Sequence, residues 1–198
     1  MSLHKCLILV AALALSAPVL AQHGALTVPR NLDQLTDRAA VIVRGNVVSA
    51  RVEKHPELAG LHTVVVTMHV KETLKGPVQG TFTFRQYIWD IRDLRDVAGY
   101  RKGDDMLLLM IAPNSHGLSS PAGAEQGRFR IQRESAGREM AVNGHGNFRL
   151  FDGMGTQLAS KGIALSPRST RLLDTHRRGS VEIGELTGLI RELANAGR

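Results

Sequence analysis

Three aspartates, Asp90, Asp93 and Asp96, recur at every third residue with Arg92 and Arg95 between them. On a helix the three carboxylates would share a face and attract Ca²⁺. Such sites use about six to eight oxygens and a sharp glycine-bearing turn, and residues 90–96 contain no glycine. The interleaved arginines also neutralise the field, so an ion-paired, solvated segment is expected there and not a metal site. The histidines outside the leader, His23, His55, His62, His69, His116, His145 and His176, form no i, i+4 pair and no HExxH or HxH. His62 and His69 fall on opposite faces of one strand. Ser49, Ser115, Ser119, Ser120 and Ser135 lack a GxSxG context, and the glycines make neither a P-loop nor a dinucleotide fingerprint. No catalytic residue, metal ligand or cofactor site is therefore expected.

Recognition is a different matter. Trp89 and Tyr100 lie in a long, irregular, charged segment, residues 87–104, together with Arg92 and Arg95. An aromatic exposed in such a loop is a candidate binding anchor, and these four residues form the candidate binding set. The competing reading is that both rings cover the open end of a barrel. Phe82, Phe84 and Phe129 beside Arg85, Arg128 and Arg130 could compose a nucleic-acid face. Aromatics are only 4% of the chain, however, and a small core needs them, so no nucleic-acid partner is expected.

The elements that must position these residues follow from periodicity. Asn31 can cap a short helix over residues 31–35. In residues 40–52, Val41, Val43, Gly45 and Val47 alternate with Ile42, Arg44, Asn46 and Val48, and Gly45 marks a bulge or sharp bend. Residues 61–74 form the cleanest strand, with Val64, Val66, Met68 and Val70 on one face. A third strand carries Phe82 and Phe84. The fourth, residues 106–111, is apolar on both faces and so buried on both sides. Residues 113–124, rich in Pro, Gly and Ser, read as a mobile loop, and residues 126–133 as a fifth strand. Five strands after a short helix predict a mainly β fold, a small antiparallel OB-like barrel over residues 22–134. For residues 135–198 the pattern predicts β-hairpins, including one about Asp152-Gly153, then a linker over 160–180 and a docking helix. That amphipathic helix carries Ile183, Leu186, Leu189, Ile190 and Leu193 on one stripe.

The N-terminus predicts export. Lys5 precedes an apolar run from Cys6 to Leu15, and Val19-Leu20-Ala21 fits signal peptidase, with cleavage before Gln22. The run is too short to span a bilayer, so no transmembrane segment is expected after cleavage. Loss of residues 1–21 removes Cys6, the chain's single cysteine, and leaves 177 of 198 residues. Loss of Lys5 also lowers the formal charge of +7 by one. A basic exported protein is drawn to anionic surfaces, although arginine-rich solvated faces explain the same charge.

The strand motifs resemble a family of uncharacterised bacterial secreted proteins with the pattern ADVIVxGxV, YTxVTxxVxxxLKG, TVxQxGG, GExVLLFL and QGKFxV. The matching stretches are RAAVIVRGNVV (38–48), HTVVVTMHVKETLKG (62–76), TFTFRQ (81–86), GDDMLLLM (103–110) and QGRFRI (126–131). The double glycine that follows the family's third strand is replaced here by Tyr87-Ile88-Trp89. The order of elements is also similar to OB-type and netrin-like barrels. Inhibitors built on that fold depend on an N-terminal cysteine, which the mature chain lacks. The resemblance implies fold and export and brings no catalytic residue.

Together these readings predict a non-enzymatic binding module, exported to the periplasm or the extracellular medium, whose partner is a protein or an anionic envelope component. Two alternatives stay open. One is a hydrolase in which a histidine such as His62 or His69 shares a pocket with a carboxylate. The other is an OB-type binder of nucleic acid or polysaccharide, with basic and aromatic side chains on one exposed strand face.

Overall fold

The computed structural model describes residues 28–197; the leader and its cleavage site lie outside them. The chain enters through helix α1 (Leu32–Arg38), which Asn31 caps. The Asn31 side chain accepts from the Gln34 amide at 3.1 Å, and Gln34 accepts from the Asn31 amide at 3.2 Å. This reciprocal pair satisfies two otherwise orphaned donors.

The strands are β1 (Val41–Lys54), β2 (His62–Lys75), β3 (Thr81–Tyr87), β4 (Asp105–Met110), β5 (Arg128–Arg133), β6 (Glu139–Asn143) and β7 (Val181–Glu182). They form one antiparallel sheet in the order β3-β2-β1-β4-β5-β6-β7. The protein is mainly β, as expected. The sheet, however, is not the five-stranded barrel that the strand count suggested. Closure would require β3 to pair along its length with the far edge of the sheet. Instead β4 gives Met106–Leu108 to β5, and the other edge of β5 is taken by β6. Only the segment 118–121 spans the gap, with one bridge from Leu118 to Arg85 and one from Pro121 to Met110.

Gly45 explains how β1 bends. The β1–β2 register slips between Arg44 and Gly45, and a Cβ at Gly45 would lie 2.1 Å from the His69 carbonyl oxygen. Only glycine permits that approach.

Both faces of the sheet are covered. On one, Val43, Val64, Val66, Met68, Phe84 and Leu108 form a core under the curl of β1–β4. On the other, Ile42, Leu107, Leu109 and Phe129 meet the helices. β4 therefore has no solvent face, and Met106 to Met110 are all fully buried. Among the described residues the helical layer consists of α1, α2 (Met154–Ser160), α3 (Pro167–Thr175) and α4 (Ile183–Ala196). The stripe predicted on α4 is the face that packs, with Ile183, Leu186, Leu189, Ile190 and Leu193 buried.

Three expectations for the loops and the C-terminal part change. Residues 154–160 are helical, so no hairpin forms about Asp152-Gly153. The left-handed Gly153 (φ 68°) starts a helix that buries Met154 and Leu158, one turn apart. The expected linker over 160–180 contains α3, opened by Ser166, whose hydroxyl accepts from the Ser169 amide at 3.3 Å. Pro167 stands at the first helical position, where its missing N–H costs nothing. The loop at 113–124 is tied to the sheet. Ser119 donates its amide to the Arg85 carbonyl at 2.9 Å, and Ala122 donates to Leu109 at 2.7 Å.

Candidate functional site

β3 delivers the chain to the region where the candidate residues lie. After Tyr87 the chain turns Ile88 into the core and leaves Trp89 outside, 84% exposed. The indole contacts Tyr87 edge to face, with centroids 4.7 Å apart and planes at 80°. Asp90 then caps a 3-10 turn (Ile91–Leu94), accepting from the Arg92 amide at 2.9 Å, while the Arg92 guanidinium folds back onto the same carboxylate. The aspartate triplet thus lies on tight turns and not on one α-helical face. Asp96 pairs with Arg101 at 3.1 Å. No group of three side chains able to hold a metal ion exists among the described residues.

The next turn is strained. Val97, Ala98 and Gly99 have φ of 52°, 51° and 76°, a left-handed run that costs energy at the two non-glycine positions. Two arginines of β5 hold it. Arg128 donates to the Ala98 carbonyl at 2.5 Å and Arg130 to that of Gly99 at 3.0 Å. Arg128 is itself fixed, paired with Glu125 at 2.6 Å and stacked 4.7 Å over the Tyr100 ring. Tyr100 is buried and donates its hydroxyl to Gln86 Oε1 at 2.8 Å. Burial pushes its phenol up to about 12.

Arg128→Met should therefore lower stability by about 2–4 kcal/mol, since it leaves the Ala98 carbonyl and the Glu125 carboxylate without their donor. Arg130→Ala, on an exposed side chain, should cost roughly 1 kcal/mol. Urea unfolding of both variants measures the difference. An unchanged midpoint for Arg128→Met would show that the turn holds without it.

These turns form one wall of a cleft of about 1130 Å³. Trp89, Asp90, Arg92 and Asp93 line that wall. Asn114, Ser119 and Ser120, from the segment tied to β3 and β4, form another, and Glu125 and His145 complete the rim. The last two are close because Gly144 has no side chain: a Cβ there would fall 2.7 Å from the Glu125 Cβ. The turn carrying His145 is fixed by a buried asparagine pair. Asn143 accepts from the His145 and Asn147 amides, and Asn147 donates to the Ala141 and Gly179 carbonyls at 2.9 and 2.8 Å. A smaller apolar cavity of about 330 Å³, between Phe82–Arg85 and Met110–Pro113, adjoins the cleft and shares Ile111, Ala112 and Ser119 with it.

Of the four predicted binding residues, the structure brings Trp89 and Arg92 to the cleft. Arg95 is exposed outside its lining. Tyr100 lies beneath it as a core residue, so it supports the wall and cannot anchor a ligand from solvent. His62 and His69 are exposed on β2, and neither lines the cleft. Sequence reasoning missed Asp93 as a wall residue, and also Glu125 and His145. In the sequence Asp93 reads as part of an ion-paired, solvated segment. Glu125 and His145 come from separate turns, and nothing in the order of residues announces that they meet.

Burial against the wall, with the like charges of Asp90 and Glu125, pushes the Asp93 carboxyl up from its ordinary value. Its side chain makes no hydrogen bond or ion pair among the described residues. The arrangement offers an aromatic surface, one carboxylate without a direct hydrogen bond or ion pair, and a few polar side chains.

Comparison with protein-family models, with curated proteins and with solved structures returns no match.

Proposed function

We propose that this chain is an exported, non-enzymatic binding module that captures a protein or another envelope component in the cleft beneath Trp89. The observation that carries the reading is the exposed indole at the mouth of that cleft. A large aromatic left in water forgoes about 1.5–3 kcal/mol of burial free energy, and a ligand covering it recovers that amount. The strained 97–99 turn and its two arginine tethers support the same reading, because they hold one wall in a set position before any ligand arrives. Export rests on the three-zone leader. The resemblance of the β1–β5 motifs to a secreted family agrees with it. No helix among the described residues is long and apolar enough to cross a membrane.

One observation favours a second reading. His145 shares the cleft with Asp90, Asp93 and Glu125, the combination expected of a hydrolase. No hydrogen bond orients the His145 ring among the described residues, and a general base needs such a partner. Binding is therefore the stronger reading. His145→Ala should leave it intact.

Trp89 is the only tryptophan of the chain, so intrinsic fluorescence reports on the cleft alone. Titration of the mature protein with short peptides, amines and oligosaccharides should shift its emission saturably for at least one class. Ala112→Phe, which fills the cleft from an exposed position, should abolish the shift without altering the unfolding midpoint. A full panel without any shift, or shifts that survive Ala112→Phe, would sink the reading. Protein recovered outside the cytoplasm should begin at Gln22; an uncleaved chain retained inside would sink export.

A further inference from the structure

The chemistry of the cleft narrows the class of ligand, an inference that rests on the binding reading above. Its charged groups do not cancel. Arg92 is engaged by Asp90, and Glu125 is engaged by Arg128 from below the wall. Asp93 alone has no direct hydrogen bond or ion pair and feels Arg128 and Arg92 only at longer range, on a chain whose overall formal charge is +7. Near it, Trp89 and Tyr87 meet at right angles and both line the cleft. Two rings at right angles present π faces in two directions, the geometry that surrounds an organic cation on adjacent sides.

From this we infer that the cleft takes the basic side chain of an extended peptide, with the lysine ammonium or arginine guanidinium between the Trp89–Tyr87 pair and the Asp93 carboxylate. Several observations converge on a cation. An anionic ligand would meet Asp93 with the only nearby arginines already paired. A neutral sugar could stack on Trp89, but it would give the Asp93 carboxylate no ion-pair partner. A cation satisfies both. It also offsets the repulsion that Asp90 and Glu125 exert on Asp93, which adds to burial in raising that carboxyl. The apolar lining supplied by Leu61, Leu118 and Pro121 suits the methylene stem that carries such a group. The Ser120 side chain and the Asn114 side-chain nitrogen provide polar atoms for a peptide backbone.

The test uses Nα-acetyl-lysine methylamide, Nα-acetyl-arginine methylamide and the neutral isostere Nα-acetyl-norleucine methylamide. Each is titrated into the mature protein and followed by Trp89 emission, with calorimetry for the Trp89→Ala variant. Both basic probes should bind at least tenfold more tightly than norleucine. Asp93→Asn should weaken them about tenfold without moving the unfolding midpoint, and raising salt should weaken them in the wild type but hardly in that variant. Trp89→Ala should weaken them likewise. Equal binding of norleucine, or basic probes unaffected by Asp93→Asn, would overturn the inference. If an oligosaccharide shifts Trp89 emission and Ala112→Phe abolishes that shift while the lysine probe gives none, the cation is wrong and the cleft stands. If no probe of any kind shifts it, the cleft itself fails.

Discussion

Val66→Asp should leave the protein unfolded, whereas Thr67→Asp should fold with its unfolding midpoint almost unchanged. The two positions are adjacent, similar in β propensity and paired with the same strand, Val66 opposite Phe84 and Thr67 opposite Thr83. They differ in the face they present. Val66 is fully buried in the core with Val64, Met68, Phe84 and Leu108. A carboxylate there has no donor and no counter-ion, and removing such a group from water costs several kcal/mol even after it takes up a proton. The lost valine packing adds about 1 kcal/mol or more. Against a domain's usual stability of about 5–15 kcal/mol, the sum removes most or all of the margin. Thr67 faces outward, where its hydroxyl meets that of Thr83 at 3.1 Å. Replacing that exposed contact should cost under about 1 kcal/mol. Far-UV circular dichroism and urea titration of the two variants decide the matter. A folded Val66→Asp beside an unfolded Thr67→Asp would mean that β2 faces the opposite way.

That contrast was legible in the sequence because Val64, Val66, Met68 and Val70 recur at every second residue and a strand has only two faces, although Thr63 and Val65 on the opposite face are buried as well. β4 was legible for the complementary reason: five apolar residues in a row leave no face for water. Closure of the sheet was not. Alternation says which residues point inward but not which strands pair, and the barrel was excluded by a partner that the pattern hardly marks. β6 is five residues long and runs into the turn residues Asn143-Gly144. Yet it occupies the edge of β5 that a closed barrel would have needed. The helices α2 and α3 did leave local signals. Met154 and Leu158 are spaced by one helical turn, and Ser166-Pro167 is a helix opening with Leu172-Leu173 following. The turn chemistry of Asp152-Gly153 outweighed the first, and the polar composition of 160–180 hid the second. For the cleft, one aromatic was readable and its wall was not. Trp89 and Tyr100 look alike in a charged loop. Only the turn of the chain at Ile88 and the stacking of Arg128 on Tyr100 send one outward and the other inward. Glu125 and His145 meet the 89–93 turn through tertiary contacts alone.

Truncation after Ser180 should prevent the mature protein from folding as a stable monomer. The deletion removes β7 and α4, and with them Val181, Ile183, Leu186, Leu189, Ile190 and Leu193, all buried. At about 1.5–3 kcal/mol for each fully buried side chain, the five residues of the α4 stripe contribute roughly 7–15 kcal/mol in gross terms, before ordering entropy is subtracted. The loss extends beyond the helix. Leu32 and Leu35 of α1, Leu74 of β2 and Leu172 of α3 share that core, so truncation uncovers the sheet face between them. An apolar patch of that size on a free monomer drives association. Gly184 and Gly188 make the isolated helix weak, and the stripe must therefore be held by packing and not by its own propensity. The polar edge contributes little by comparison. Arg191 pairs with Glu72 of β2, and Ser166 and Ser169 donate to Glu192 at 2.7 and 2.8 Å. Arg191→Ala, which breaks a pair exposed on the arginine side and half-buried at Glu72, should lower stability by about 1 kcal/mol. The truncated chain should elute as aggregate or bind a hydrophobic dye, while Arg191→Ala should elute as the wild type does. A truncated protein that remains monomeric with the wild-type midpoint would show that α4 is dispensable to the core. The same face would then be free for a partner.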